Sequence, residues 1–431
     1  MSRIAIIGSG AMGLAAAYHC VKAGHEVHVF ESDQAPGGMA AHFDFSGLSI
    51  EKFYHFVCKT DAPTFELMEE LGIANKMCWV DTKMGYYIDG IHYWWGDPIS
   101  LLRFPLMSIW QKLRYGFSAF LQTKRSNFDS LEHMSAKDWI VRDCGEATYN
   151  LMWKRLLELK FYEYTDQISA AWIATRVKRV GSSRKSLLQE QLGYIDGGTQ
   201  TLVDALISAF QERGGQLHLG APVSKILSDN GKVSGIQVGE EVHVFDNVIS
   251  TVPTPLISQM VTDLTKEEVA QYDAIKNIGV VCLLFKLRKS VTSNFWLNIN
   301  DERMEIPGII EFSNLRPTKE TVVYVPYYMP VTNPKFAVHD QGFIEEAFGY
   351  LKMLNSELTD DDLIDAKVGR LKHSQPICEP GFASKIPNIQ TSIEGLQIAD
   401  TCFYYPEDRG ISESVRLGKE MALSVTLKTK K

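Results

Sequence analysis

None of the seven cysteines (Cys20, Cys58, Cys78, Cys144, Cys282, Cys378 and Cys402) stands in a C-x-x-C spacing. An odd, scattered set points to reduced structural thiols in a cytoplasmic protein and against a zinc site. No metal ligands are expected anywhere. No apolar run approaches about 18 residues, so no transmembrane helix is expected. Residues 1–7 run straight into a glycine motif, without the longer apolar region and cleavage site of a signal peptide. Positive charge is not in excess. The 44 Lys and Arg against 52 Asp and Glu leave a formal net charge of −8, which gives no reason to expect a nucleic-acid partner. Apolar residues make up 45% of the 431, enough for a globular protein too long for one ordinary core, and two interleaved domains are expected.

Ile4-Ala5-Ile6-Ile7 reads as a buried strand. It is followed at once by Gly8-Ser9-Gly10-Ala11-Met12-Gly13, a helical stretch over 14–22, and a second strand, Glu26-Val27-His28-Val29-Phe30, ending at Glu31. This is a βαβ unit with G-x-G-x-x-G at its first turn. Gly8 permits the tight turn, Gly10 lets a pyrophosphate reach the backbone, and Gly13 allows close helix–strand packing. The helix N-terminus offers free N–H groups to phosphate, and Ala11 and Met12 within the motif are expected to line the cofactor. Glu31, with Ser32 beside it, stands where an acid accepts from adenosine ribose hydroxyls.

A second glycine pair, Gly37-Gly38, follows a few residues later, with Met39 after it. With these residues the chain resembles the two-domain FAD-binding superfamily of monoamine oxidases, protoporphyrinogen oxidase and phytoene desaturases, and more distantly UDP-galactopyranose mutase. There the glycine pair lets the chain pass the pyrophosphate and ribityl portions of FAD. The usual arginine after the pair is Met39 here. The resemblance implies a Rossmann-like α/β FAD-binding domain (residues 1–80, 193–255 and 386–431) interleaved with an α+β substrate-binding domain of mixed sheet and helices (81–192 and 256–385).

Further along, residues 199–213 read as an amphipathic helix. Short strands follow at 216–219, 223–226, 233–238 and 242–245, with Asn230-Gly231 as a hairpin turn. The resemblance places Val223 where backbone groups clasp the adenine and Thr251 where the chain returns under the cofactor. Near the C-terminus, the strand 395–400 ends in Asp400 and leads through Tyr405-Pro406-Glu407-Asp408-Arg409-Gly410 into a last helix. Relatives with this signature imply that Asp400 reaches the ribityl or pyrophosphate region. They also imply that the helix start at Gly410, Ile411 and Ser412 faces the flavin's pyrimidine side. Glu407, Asp408 and Arg409 then read as a salt-bridged brace.

The cofactor so implied is noncovalent FAD, with Cys402 the nearest thiol in sequence to the C-terminal motif. Lys160 and His55 are the candidate catalytic residues, the latter just past the strand expected to pass the flavin ring. The implied reaction is oxidation of a largely apolar or amine small molecule by hydride transfer to flavin. Aromatics at 11% fit an apolar or aromatic cavity. No second glycine-rich nucleotide motif is present, so oxygen, a quinone or another acceptor is expected rather than nicotinamide. The alternative is non-redox, mutase-like chemistry on a nucleotide sugar. Against it, Phe56 replaces the mutases' histidine, and Glu163 would repel a diphosphate. Residues 101–125 mix Leu, Phe and Trp with Arg and Lys; such a stretch can contact a membrane surface peripherally, although packing on its own domain is the simpler expectation. Trp94-Trp95 is expected in the core, and Asp360-Asp361-Asp362 at a solvated helix start.

Overall fold

The computed structural model describes residues 1–429. Arg3–Ile7 is the middle strand of a five-stranded parallel sheet, ordered Gln216–His218, Glu26–Phe30, Arg3–Ile7, Asn247–Ser250, Leu396–Ile398. A strand covered on both faces must be apolar throughout, and residues 4–7 are at most 4% exposed. The two-residue period divides them. Ile4 and Ile6 pack with Met12, Ala16, Leu417 and Met421 of the helices Ala11–Lys22 and Ile411–Thr429. Ala5 and Ile7 pack with Ile226, Ile236 and Phe245 of the antiparallel sheet Val223–Asp229, Lys232–Val238, Glu241–Val244. The hairpin turn at Asn230-Gly231 forms with positive φ at both residues, 52° and 75°, as a primed turn requires.

A second sheet has seven strands in the order Leu363–Pro376, Asn277–Leu287, Thr321–Met329, Gly308–Glu311, Trp296–Asn300, Met84–Ile88, Ile91–Trp95. Its pairings are antiparallel except that Trp296–Asn300 runs parallel to Met84–Ile88. Along Asn277–Leu287 the side chains alternate. Val281, Leu283 and Phe285 pack against Phe343, Phe348 and Leu351 of the helix Asp340–Leu354, while Val280, Cys282 and Leu284 turn toward a cavity. Between the two sheets the small sheet Met77–Asp81, Gln189–Ile195, Arg184–Ser186 bridges the chain. The expected boundaries near 80 and 193 fall inside its strands.

Residues 98–182 form a helical layer: Pro98–Arg103, Ile109–Lys124, Ala136–Cys144, Glu146–Tyr149, Arg155–Phe161 and Ala170–Ser182. Serine hydroxyls cap three of these helices, with Ser108, Ser135 and Ser169 accepting from Gln111, Asp138 and Trp172 N–H groups.

Three local expectations are corrected and a fourth is refined. The first helix begins at Ala11, not 14. Trp94 is 63% exposed with Lys83 over its ring, and only Trp95 is packed, against Tyr86, Phe104 and Tyr115. In the acidic triplet, Asp362 is buried, because its carboxylate accepts from Thr359 N–H and hydroxyl. Finally, Ile109–Lys124 packs on Ala136–Cys144 and Ala170–Ser182 of its own domain, as expected, but apart from Tyr115 not through its large apolar residues. Ser118 and Gln122 are its buried positions, while Trp110, Leu113, Phe117 and Phe120 are exposed.

Candidate functional site

The parallel sheet's strand order reverses direction at Arg3–Ile7, and a ligand crevice is expected beyond the carboxyl end of such a strand. There Gly8 takes φ +100° and donates to Phe30 O at 2.8 Å, turning the chain into the helix. A Cβ on Gly13 would lie 2.0 Å from Gly8 O, so helix and turn touch through backbone. The second glycine pair folds back onto the first motif: Gly37 N–H donates to Ser9 O at 3.0 Å, and a Cβ on Gly38 would come within 3.1 Å of Gly10 Cα. A Cβ on Gly10, by contrast, would meet no atom within 4 Å. No side chain caps the Ala11–Lys22 helix, so its first N–H groups face that open space.

The space belongs to a cavity of about 1720 Å³. A single small ligand fills roughly 300–1,000 Å³, so this one has room for a dinucleotide and a second molecule. At one end it is lined by Gly8, Gly10, Ala11 and Met12, by Glu31 and Ser32, and by Gly37, Gly38 and Met39. Val223, Thr251, Asp400, Gly410 and Ile411 join them from four distant segments. Two expected residues do not line it. Gly13 serves by packing. Ser412 points away into the protein, where its hydroxyl is buried and unpartnered, and the helical period brings Ser414 to the cavity instead.

The acids are held by the local backbone. Glu31 Oε2 accepts from Ser9 N (2.8 Å) and Oγ (2.7 Å), and Oε1 from Asp33 N (3.0 Å) and Ser32 Oγ (3.1 Å). Burial alone would raise its pKa; these bonds outweigh that and hold it below the ordinary value. A carboxylate offers about four acceptor positions, so a ribose hydroxyl would replace a rotatable serine hydroxyl there. Asp400 accepts from Thr254 N (2.6 Å), Thr254 Oγ1 (3.0 Å) and Cys402 N (2.8 Å), pinning the C-terminal turn to the chain after Asn247–Ser250. Thr251 is tied to Ile7 O through both N–H and hydroxyl, each at 2.9 Å. Open space at Gly10, an uncapped helix start and a fixed acid at the next strand end fit the adenosine and pyrophosphate of FAD.

The far end of the cavity has a different character. Phe56, Phe161, Ile173, Phe295, Trp296 and Tyr328 wall it. Lys160 reaches into it from the end of Arg155–Phe161, its Nζ 5.1 Å from the centre of the Tyr328 ring. A π-helical turn, Asn150–Lys154, precedes this helix, and Tyr162 just beyond Lys160 is held at φ +52°, ψ −124°. Strained backbone of this kind persists only where its surroundings fix it. Among the described residues no carboxylate lies within ion-pair distance of Lys160. Burial first, then Arg176 and Arg409, push its pKa well below that of an ordinary lysine, against the pull of Asp408.

Sequence reading missed those neighbours, since nothing local marks residues 176 and 409 as partners of 160. Asp408 Oδ2 pairs with Arg176 Nε at 3.3 Å, and its Oδ1 is buried without a partner. Burial would raise Asp408, but Arg176, Lys160, Arg179 and Arg409 together hold it below the ordinary value. Arg409 donates to Ser374 O and, at 2.7 Å, to Ser374 Oγ. Of the expected Glu407-Asp408-Arg409 brace, Asp408 and Arg409 reach other elements, at Arg176 and Ser374, and both line the cavity. His55 lines it too, with Nδ1 buried and unpartnered and its pKa lowered by burial. Glu190, also in the lining, is pushed up to about 7 by burial. Glu163 is exposed and does not line the cavity. Cys402 is buried away from the lining.

Residues 13–364 match the model of the family described as flavin containing amine oxidoreductase. A 15-cis-phytoene desaturase of Synechococcus elongatus is 23% identical over 313 residues, which are 65% of this chain and 64% of that protein. The chain spans about three fifths of the length of the curated relatives it matches. Among solved structures, cyclohexylamine oxidase from Brevibacterium oxydans superposes with a TM-score of 0.75 at 14% identity, covering 100% of both chains. Reduced UDP-galactopyranose mutase gives 0.77 at 17% identity, covering 100% of this chain and 95% of the other. At such identities the likeness establishes the fold alone.

Proposed function

Since the chain belongs to the flavin-containing amine oxidoreductase family, with FAD as its cofactor, we propose that it oxidises a largely apolar substrate that is neutral or anionic, rather than a protonated amine. One observation carries the choice. The inner end of the cavity presents the guanidinium groups of Arg176 and Arg409, beside Lys160, against the Asp408 carboxylate, which Arg176 already engages. An ammonium placed among aromatic walls there would face like charge in a medium that screens poorly. A neutral chain, or one ending in a carboxylate, meets no such penalty.

Residues 1–80, 193–255 and 386–429 are read as the cofactor-binding part, with Gly8, Gly10, Ala11, Met12, Glu31, Gly37 and Gly38 holding the nucleotide half of FAD. Residues 81–192 and 256–385 are read as the substrate-binding part. When bound, FAD would supply the acceptor for one hydride, that is two electrons with a proton, from a substrate carbon. The chain's contribution is to hold and orient. Phe161, Phe295, Trp296 and Tyr328 exclude water from the substrate end. Lys160 Nζ, whose charged form burial and Arg176 disfavour, takes up a proton from a substrate group held against Tyr328. The unpartnered His55 Nδ1 and Asp408 Oδ1 are available to orient that group.

The test is anaerobic mixing of the flavin-loaded protein with long apolar neutral or carboxylated substrates and, separately, with primary amines, following flavin absorbance. Bleaching by the first set and not by amines is the expected result; bleaching by amines alone would overturn the reading. Lys160→Met should keep the bound-flavin spectrum, slow bleaching, and flatten its dependence on pH. A variant that bleaches at the original rate at every pH would remove Lys160 from the reaction.

A further inference from the structure

The helix Ile109–Lys124 is amphipathic in the wrong sense for a helix that packs by its apolar side. Its buried positions are Ser118 and Gln122, with Gln122 Oε1 unpartnered. Ile109, Trp110, Leu113, Phe117, Phe120 and Leu121 are exposed, Trp110 by 77% and Phe117 by 64%. The stripe continues through Ile99, Leu102 and Leu106, also exposed, on the preceding helix Pro98–Arg103 and the turn after it. Lys112 Nζ donates to Leu102 O at 2.7 Å, so the two helices lie side by side and their apolar residues form one surface. Single exposed apolar residues are ordinary; a contiguous stripe of nine marks a surface meant to be covered.

Charge identifies the cover. Residues 98–128 contain Arg103, Lys112, Arg114, Lys124 and Arg125 and no Asp or Glu, in a chain whose net charge is −8. Arg114 donates to the main-chain oxygens of Arg142 and Asp143 and Arg125 to Ser130 Oγ, and among the described residues none of the five cations forms an ion pair, so their charge stays uncompensated. From these observations the geometry points to an anionic lipid bilayer surface as the partner, with the aromatic stripe entering the headgroup boundary and the five cations meeting lipid phosphates. A second copy of this chain fits poorly. A two-fold interface sets the same patch against itself, bringing five uncompensated cations onto five.

The surface is continuous with the cavity. Phe120 and Leu187, both exposed, also line it, together with Tyr115 and Thr123 from the inner side of the same helix. A bilayer on this face covers the cavity's opening, so an apolar molecule passes from lipid to the aromatic end without crossing water. This deepens the apolar-substrate reading, but the test below reads binding alone and stands or falls without turnover.

Sedimentation of the flavin-loaded protein with vesicles of phosphatidylcholine, with and without phosphatidylglycerol, tests the proposal. Binding is expected to the anionic vesicles and to weaken as salt rises. Trp110→Ser with Phe117→Ser should lower the partition constant by at least about tenfold. Arg103→Gln with Arg125→Gln should lower it by about tenfold on anionic vesicles only. All four positions lie outside the cavity lining, so the far-ultraviolet dichroism and bound-flavin spectrum should be unchanged and serve as the fold control. No binding to anionic vesicles at low salt would overturn the proposal. So would binding that is indifferent to these substitutions, or a solution dimer that Trp110→Ser with Phe117→Ser converts to monomer.

Discussion

Replacing Gly418 by alanine should destabilise the protein, although it lies inside the 19-residue helix Ile411–Thr429, where helix propensity alone predicts the opposite sign. In an isolated helix Gly→Ala gains about 1 kcal/mol. Here the new Cβ would sit 2.3 Å from Met12 O, 3.0 Å from Ala16 N and 3.1 Å from Ala15 Cβ. Two of these neighbours are backbone of the Ala11–Lys22 helix, which no rotamer change can relieve, so the helices must separate. Overpacking of this kind costs about 1–3 kcal/mol. The net expectation is a loss of up to about 2 kcal/mol, after subtracting the propensity gain. Because Met12 lies in the turn that lines the cofactor cavity, flavin retention should fall with it. Gly349, inside Asp340–Leu354, is the control: no atom lies within 4 Å of its would-be Cβ, so Gly349→Ala should gain up to about 1 kcal/mol. The assay is urea unfolding at fixed, saturating FAD, with flavin absorbance after gel filtration as the second readout. If both variants gain stability alike, the backbone-to-backbone contact is not what fixes the two helices.

Gly10→Ala should separate folding from cofactor binding. Its Cβ enters space that no protein atom occupies, so the flavin-free protein should lose no more than about 1 kcal/mol, while flavin should be absent after gel filtration. Retention of flavin would refute the placement of the pyrophosphate at this turn. Glu190 sets a pH dependence of stability. Its folded pKa of about 7 lies above the ordinary 4.5, so the folded state favours the protonated carboxyl. That contribution is complete below about pH 4.5 and is lost as pH rises through 7, in all about 3 kcal/mol. Glu190→Gln should remove this part of the slope and raise the urea midpoint at pH 8. A residual slope from Glu311, also near 7 through burial, should remain.

Much of the cofactor end is decided locally, and the sequence showed it for local reasons. The apolar run at 4–7, the glycines that alone tolerate the turn at residue 8, and the acid at the next strand end are set by hydrophobicity, φ and chain length. So is the hairpin at Asn230-Gly231, and these lie in the structure where their patterns put them. Long-range packing decided the rest. Lys160 shares a cavity with Arg176, Asp408 and Arg409 only because the helical layer and the C-terminal turn converge there, and no spacing along the chain encodes a proximity across more than 240 residues. The helical period, not the motif, brings Ser414 rather than Ser412 to the cavity. The stretch 101–125 shows the boundary most clearly. Its composition revealed a basic amphipathic helix, but which side would be buried depends on what the fold sets against it. The fold set Cys144 against Ser118, and Gly181 of Ala170–Ser182 against Thr123, leaving the apolar stripe outside. Local geometry follows from the residues themselves; which faces meet is a property of the whole chain folded at once.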